Sequence, residues 1–108
     1  MEVTVMLFNY LTYNLVALSS EVDSAYYNNL TSKYLLKVKT SNNKKNNILQ
    51  INNIPELINI NIKNIYKAPK YIGQKNIYKD KQINQNSIWG FIKIKNRLLP
   101  LIRLESLI

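Results

Sequence analysis

Residues 90–104 read Gly-Phe-Ile-Lys-Ile-Lys-Asn-Arg-Leu-Leu-Pro-Leu-Ile-Arg-Leu, and the fold turns on how they are read. Ile92 and Ile94 alternate with Lys93 and Lys95, the period of two that marks a strand with one buried face. Asn96 follows, a residue that tolerates positive φ and suits a tight turn. Leu98, Leu99, Leu101, Ile102 and Leu104 then form an apolar run too dense for simple alternation, which predicts a mostly buried strand. Pro100 within that run predicts an edge strand or a bulge, because proline has no N–H to give to a ladder. The stretch therefore reads as a β-hairpin turning near residues 95–97.

The same periodicity recurs upstream. Val3, Val5 and Leu7 alternate with Thr4 and Met6, residues 9–12 suit a turn, and residues 13–18 read as a second strand completing a hairpin. Ser19, Ser20, Glu21 and Asp23 resemble a helix start, so a short helix is expected over residues 20–30 with Val22, Ala25, Tyr26 and Leu30 on one side. Tyr26 and Tyr27 form a candidate aromatic contact pair, and core tyrosines with wet hydroxyls would look the same. Tyr34, Leu36 and Val38 alternate in a strand over 33–40. Residues 41–47 contain no apolar side chain and predict a solvated turn or loop, after which 48–51 should pair back. Residues 57–66 form the cleanest alternation, with Ile58, Ile60 and Ile62 opposite Asn59, Asn61, Lys63 and Asn64. Ala68-Pro69 suggests a turn into a short helix, and 73–88 reads as a long polar loop. Leu107 and Ile108 suggest a docked or partner-covered end.

With 108 residues, 46% of them hydrophobic, the chain is expected to form one small domain, residues 1–108. There is no Cys and no His. Disulfides, thiol catalysis and Cys-based zinc sites are thereby excluded, and the usual general base and commonest transition-metal ligand are missing. The six acids stand at 2, 21, 23, 56, 80 and 105, and no spacing among them suggests a metal site or an acid/base pair. Neither a catalytic site nor a cofactor or metal is expected.

Thirteen Lys and two Arg give a formal charge of +9. Such a balance fits a polyanionic partner, and fits better the Lys-, Asn- and Ile-rich usage of an AT-rich genome on a solvated surface. Arg, the preferred residue for bidentate phosphate contacts, is scarce. No apolar run reaches the roughly eighteen residues of a membrane span. Glu2 stands where a signal peptide would begin with basic residues, so a soluble, cytoplasmic protein is expected.

Several of these segments together resemble the CheW-like coupling domains of bacterial chemotaxis. The family pattern Gly-x-Ile-Asn-Leu-Arg-Gly, three residues, then Pro-Val-Ile-Asp-Leu is met by Gly90, Ile92, Ile94, Pro100, Ile102 and Leu104 without a gap. Ala68-Pro69-Lys70-Tyr71-Ile72 is similar to its Ala-Pro-x-Tyr-Val step. Residues 6–8 and 15–22 are loosely similar to its first two strands. Lys93, Lys95, Asn96 and Arg103 stand where the family has Asn, Arg, Gly and Asp.

The resemblance implies a mainly-β fold, a small SH3-like or CheW-like β-barrel with one or two short helices, covering the first of the family's two barrels. It also implies a non-enzymatic adaptor that docks onto a kinase or receptor of a chemotaxis-type array, or onto a second copy of itself. Lys93, Lys95, Asn96, Arg97, Pro100 and Arg103 are then the candidate partner-binding residues. The alternative is a small basic β-barrel that binds RNA or DNA, with Lys67, Lys70, Tyr71, Lys75, Tyr78 and Lys79 as its candidate contacts and Tyr66 and Trp89 beside them.

Overall fold

The computed structural model describes residues 1–41, 46–67 and 87–108, and their secondary structure is β-strand with short 3₁₀ turns. Among the described residues nine strands follow one another: β1 (Glu2–Tyr10), β2 (Tyr13–Leu18), β3 (Val22–Asn28), β4 (Lys33–Val38), β5 (Ile48–Ile51), β6 (Glu56–Asn61), β7 (Ile65–Lys67), β8 (Ile88–Ile94) and β9 (Arg97–Ile102). The fold is mainly β, as the alternations predict. The loop tip at 42–45, the Ala68-Pro69 step with its expected helix, and positions 73–86 of the expected loop lie outside the described residues. At the end of that loop, Ser87 is buried and Ile88 already belongs to β8.

Six strands form one sheet in the order β6-β1-β2-β9-β8-β7, and three form a second in the order β3-β4-β5. The outermost strands of the large sheet, β6 and β7, are joined by the single 3₁₀ turn Ile62–Asn64. So short a link requires the sheet to curl until its two edges approach, giving a half-barrel. Val5, Val16, Ile60, Ile92, Ile94, Leu99 and Leu101, all from this sheet, fill the concave side. Its other face contributes Met6, Phe8, Leu15, Ala17, Ile88 and Ile102, which pack against Leu36, Val38, Leu49 and Ile51 of the small sheet and against Leu104. Leu107 and Ile108 pack onto the same cluster, so these two side chains are docked.

A strand in the middle of these layers is buried on both faces. That is why Leu15, Val16 and Ala17, then Leu99 through Ile102, are buried in succession, and why Met6 and Phe8 are buried although the alternation of β1 singles out Val3, Val5 and Leu7. Phe8, Leu15, Ile92 and Ile102 are fully buried, each worth about 1.5–3 kcal/mol against remaining exposed.

Three expectations are corrected. The helix expected over 20–30 is a single 3₁₀ turn, Ser19–Glu21, followed by the extended strand β3. Val22 pairs with Val38 and Tyr27 with Tyr34, so ladder hydrogen bonds to β4 override the helix-start signal of the serines and acids. The strand expected over 57–66 is broken at Ile62–Asn64, because its first part pairs with β1 and its last with β8. Asn61 caps the break, its side chain accepting from the Lys63 N–H at 3.0 Å. Finally, Pro100 lies in an interior strand and is buried, not on an exposed edge. It pairs with Phe91. Counting back from the closing pair Ile94 and Arg97, that is a non-hydrogen-bonded rung, so the missing N–H faces β2 instead. There the parallel ladder has one rung, Val16 with Leu101.

Candidate interaction surface

The hairpin read first in the sequence forms as expected, and its turn is two residues long. Lys95 and Asn96 adopt φ 49° and 61°, the double left-handed geometry of a type I′ turn between Ile94 and Arg97. Asn accepts this conformation readily; Lys does so at some cost in backbone strain. Near the other end, the register shifts between Ile88 and Gly90, which leaves Trp89 in a bulge and half-exposed. Gly90 sits opposite Lys67 and so close to β7 that a Cβ would run into the Tyr66 carbonyl oxygen.

The outer face of β7, β8 and β9 is covered by the small sheet only in part. Phe91 packs into the second core, whereas the rung of Lys93 with Leu98 lies beyond it. Leu98, expected to be buried, is 59% exposed, and Tyr66 is about half-exposed. Tyr66, Lys93, Asn96 and Leu98 line an open groove of about 360 Å³. Lys93, Lys95 and Arg97 are exposed around it, and none meets a carboxylate among the described residues.

The structure thus gathers four of the six candidate partner-binding residues, Lys93, Lys95, Asn96 and Arg97, at one hairpin tip. Pro100 is not among them, being buried. Arg103 lies six residues beyond Arg97, about 20 Å away along an extended chain. Its guanidinium stands over the Trp89 ring at 5.7 Å, and its backbone N–H donates to the Ser87 carbonyl at 2.8 Å. Of the candidate nucleic-acid contacts, Lys67 is exposed at the end of β7. Lys70, Tyr71, Lys75, Tyr78 and Lys79 lie outside the described residues.

The carboxylates that sequence spacing left unassigned tie down the 3₁₀ turn Leu104–Leu107. Glu21 accepts the Leu104 N–H at 3.3 Å, and Glu105 accepts both the backbone N–H and the hydroxyl of Ser41, at 3.2 and 3.1 Å. Burial pushes the Glu21 carboxyl above the ordinary 4.5, against the Leu104 N–H and the nearby Arg103, which hold it down, while Glu105 pushes it further up. No group of three or more metal-ligating side chains occurs among the described residues, and no helix among them is long and apolar enough to cross a membrane.

A second groove, of about 300 Å³, was only half legible in the sequence. Tyr26 and Tyr27 stand out as a pair, but they line it together with Ala25, Tyr34, Leu35, Ile54 and Pro55, which come from three separate segments. No protein-family model, curated protein or solved structure matches the chain.

Proposed function

We propose that this protein is a non-enzymatic coupling domain that takes an acidic, partly apolar segment of a partner protein on the β8–β9 hairpin tip. The observation that carries this reading is the placement of Lys93, Lys95 and Arg97, free of carboxylates among the described residues, around the exposed Leu98 and Tyr66. Exposed apolar area ringed by cations favours a partner that supplies both apolar contact and negative charge. A two-residue turn holds the cations on a short, stiff hairpin, which lowers the entropy lost on binding. The resemblance of residues 90–104 to CheW-like domains suggests a partner class, a kinase or receptor of a chemotaxis-type array. There the match is to protein docking, with no chemistry of the domain's own.

A second reading rests on a separate observation. Tyr66 and Trp89 are half-exposed, with Lys67 next to the first in sequence and Arg103 over the second, an arrangement that suits stacking on single-stranded nucleic acid. Fluorescence anisotropy separates the two. The full chain is titrated against a labelled peptide of alternating Glu and Leu and against a labelled twenty-nucleotide single strand, at low and high salt. The coupling reading expects peptide binding that weakens about tenfold when Lys95→Glu and Arg97→Glu are combined. Oligonucleotide binding with a steep salt slope, and no peptide binding, would overturn it in favour of the second reading.

A further inference from the structure

The coupling reading uses one turn of the molecule, whereas four connections share the end at which that turn lies. We infer that this end docks on the surface of an anionic lipid bilayer. Leu11, Leu30 and Ile54 enter the headgroup boundary, and Lys33, Lys95 and Arg97 face the headgroup anions.

The ladders bring the four connections together. Val16 pairs in parallel with Leu101, so the β1–β2 turn at residues 11–12 lies alongside the β8–β9 turn at 95–96. Asn52 donates to the Asn9 and Leu11 carbonyls, which holds the β5–β6 link, residues 52–55, beside the first of these. Ile51 ends β5 opposite Tyr34, so the β3–β4 turn at 29–32 stands at the same end. Three of the four carry an aliphatic side chain toward solvent. Leu30 is 97% exposed and Ile54 is 68% exposed. Leu11 is exposed at φ 54°, a conformation that Asn or Gly takes at less cost.

Charge identifies the surface that this end meets. Residues 9–14, 27–34, 51–55 and 93–98 contain Lys33, Lys93, Lys95 and Arg97 and no acid. These cations are exposed, and none meets a carboxylate among the described residues. Glu56 follows the β5–β6 link at the start of β6. Glu2, Glu21, Asp23 and Glu105 stand toward the other end, mixed with Lys37, Lys39 and Arg103. The described residues stop at Lys67, opposite Gly90, and resume at Ser87, both toward that other end of β8. Single aliphatic side chains on separate turns offer a protein no continuous groove. A bilayer takes each one separately, and cations beside them add attraction to anionic lipid.

The full chain is sedimented with vesicles of phosphatidylcholine alone and of phosphatidylcholine and phosphatidylserine in equal parts. Binding is expected to the mixed vesicles. Leu30→Ser should weaken it about tenfold, and adding Ile54→Ser should abolish it. Lys33→Gln should weaken it about fivefold, the share of one cation near an anionic surface. Lys39→Gln, beyond the screening length from the bilayer, should change it less than about twofold. Leu11→Asn should weaken binding without lowering the thermal midpoint, because Asn suits the positive φ. With Leu30→Trp, brominated acyl chains should quench the emission added at the turn but not that of Trp89, about 20 Å back along β8 from its tip. The inference is overturned by absence of binding to the mixed vesicles, or by quenching of Trp89 as strong as at the turn. Equal losses from Lys39→Gln and Lys33→Gln with none from Leu30→Ser overturn it too, leaving only diffuse attraction of a chain of charge +9. Lys93, Lys95 and Arg97 stay native throughout, so the peptide titration of the coupling reading stands or falls separately.

Discussion

In the β8–β9 hairpin two residues close the turn, and each strand has a hydrogen-bonded neighbour on either side. In the β3–β4 hairpin four residues, 29–32, close the turn, and among the described residues β3 pairs with β4 alone. Both hairpins hold exposed aromatic or apolar side chains, yet their charges are arranged differently. Lys93, Lys95 and Arg97 surround the first with cations alone, while the second mixes Asp23 of β3 with Lys33 and Lys37 of β4. The difference teaches that sheet position, more than local sequence, assigns roles here. The strands locked on both sides display cations from a short tip, whereas β3 has one hydrogen-bonded neighbour among the described residues.

The contrast is most directly broken by paired substitutions. Gly90→Ala should cost about 3 kcal/mol in urea unfolding, because its Cβ meets the Tyr66 backbone, which cannot rotate away. Ala25→Gly on β3 should cost no more than about 1 kcal/mol, the entropy of one glycine in an exposed strand. Equal losses would mean that β3 is as firmly held as β8. A smaller effect sharpens the picture of the tip. Replacing Lys95 by Asn and Asn96 by Gly together should stabilise by about 1 kcal/mol, since that pair suits a type I′ turn better. An unchanged midpoint would show that tertiary contacts, not turn preference, fix the tip.

The smallest expected effect concerns how β3 is tethered at its start. Burial makes the folded chain hold the Glu21 proton to a higher pH than the unfolded chain does. Its contribution is therefore fully present below the ordinary 4.5 and is lost as the pH rises through the elevated value. Glu21→Gln should flatten the fall in stability over that window. The comparison is the difference between the two proteins' thermal midpoints from about pH 4 to pH 7, and a difference that stays constant would rule out this role.

Much of the fold was legible because periodicity and burial coincide in single strands. Ile92 and Ile94, or Leu36 and Val38, point one way and are buried that way, with Tyr34 partly buried beside the latter pair. Reading failed where a partner strand far along the chain decides the outcome. Nothing near Ser19 or Glu21 tells that Val38 waits to pair with Val22, so capping signals looked like a helix. Nothing near Pro100 tells that β2 arrives on its other side. Asparagines that composition made uninformative turned out to be specific. Asn52 donates from its backbone to the Asn9 carbonyl at 2.9 Å and from its side chain to the Leu11 carbonyl, and Asn53 accepts the Asn9 N–H at 2.9 Å. Together they fasten the β1–β2 turn to the β5–β6 link. At the candidate site, the basic tip was visible as a run of sequence. The exposure of Leu98 depends on where the small sheet stops, which no local pattern encodes.

The lone parallel rung between Val16 and Leu101 also has a kinetic consequence. It joins the two halves of the large sheet across 85 positions of chain (101 minus 16), whereas the β1–β2 and β8–β9 pairs form within a few residues of their turns. Contacts that distant carry a large loop-closure entropy and delay folding. The two hairpins are therefore placed to form first, and the seam between them to zip last. Core changes at Val16 or Leu101 should then speed unfolding more than they slow refolding.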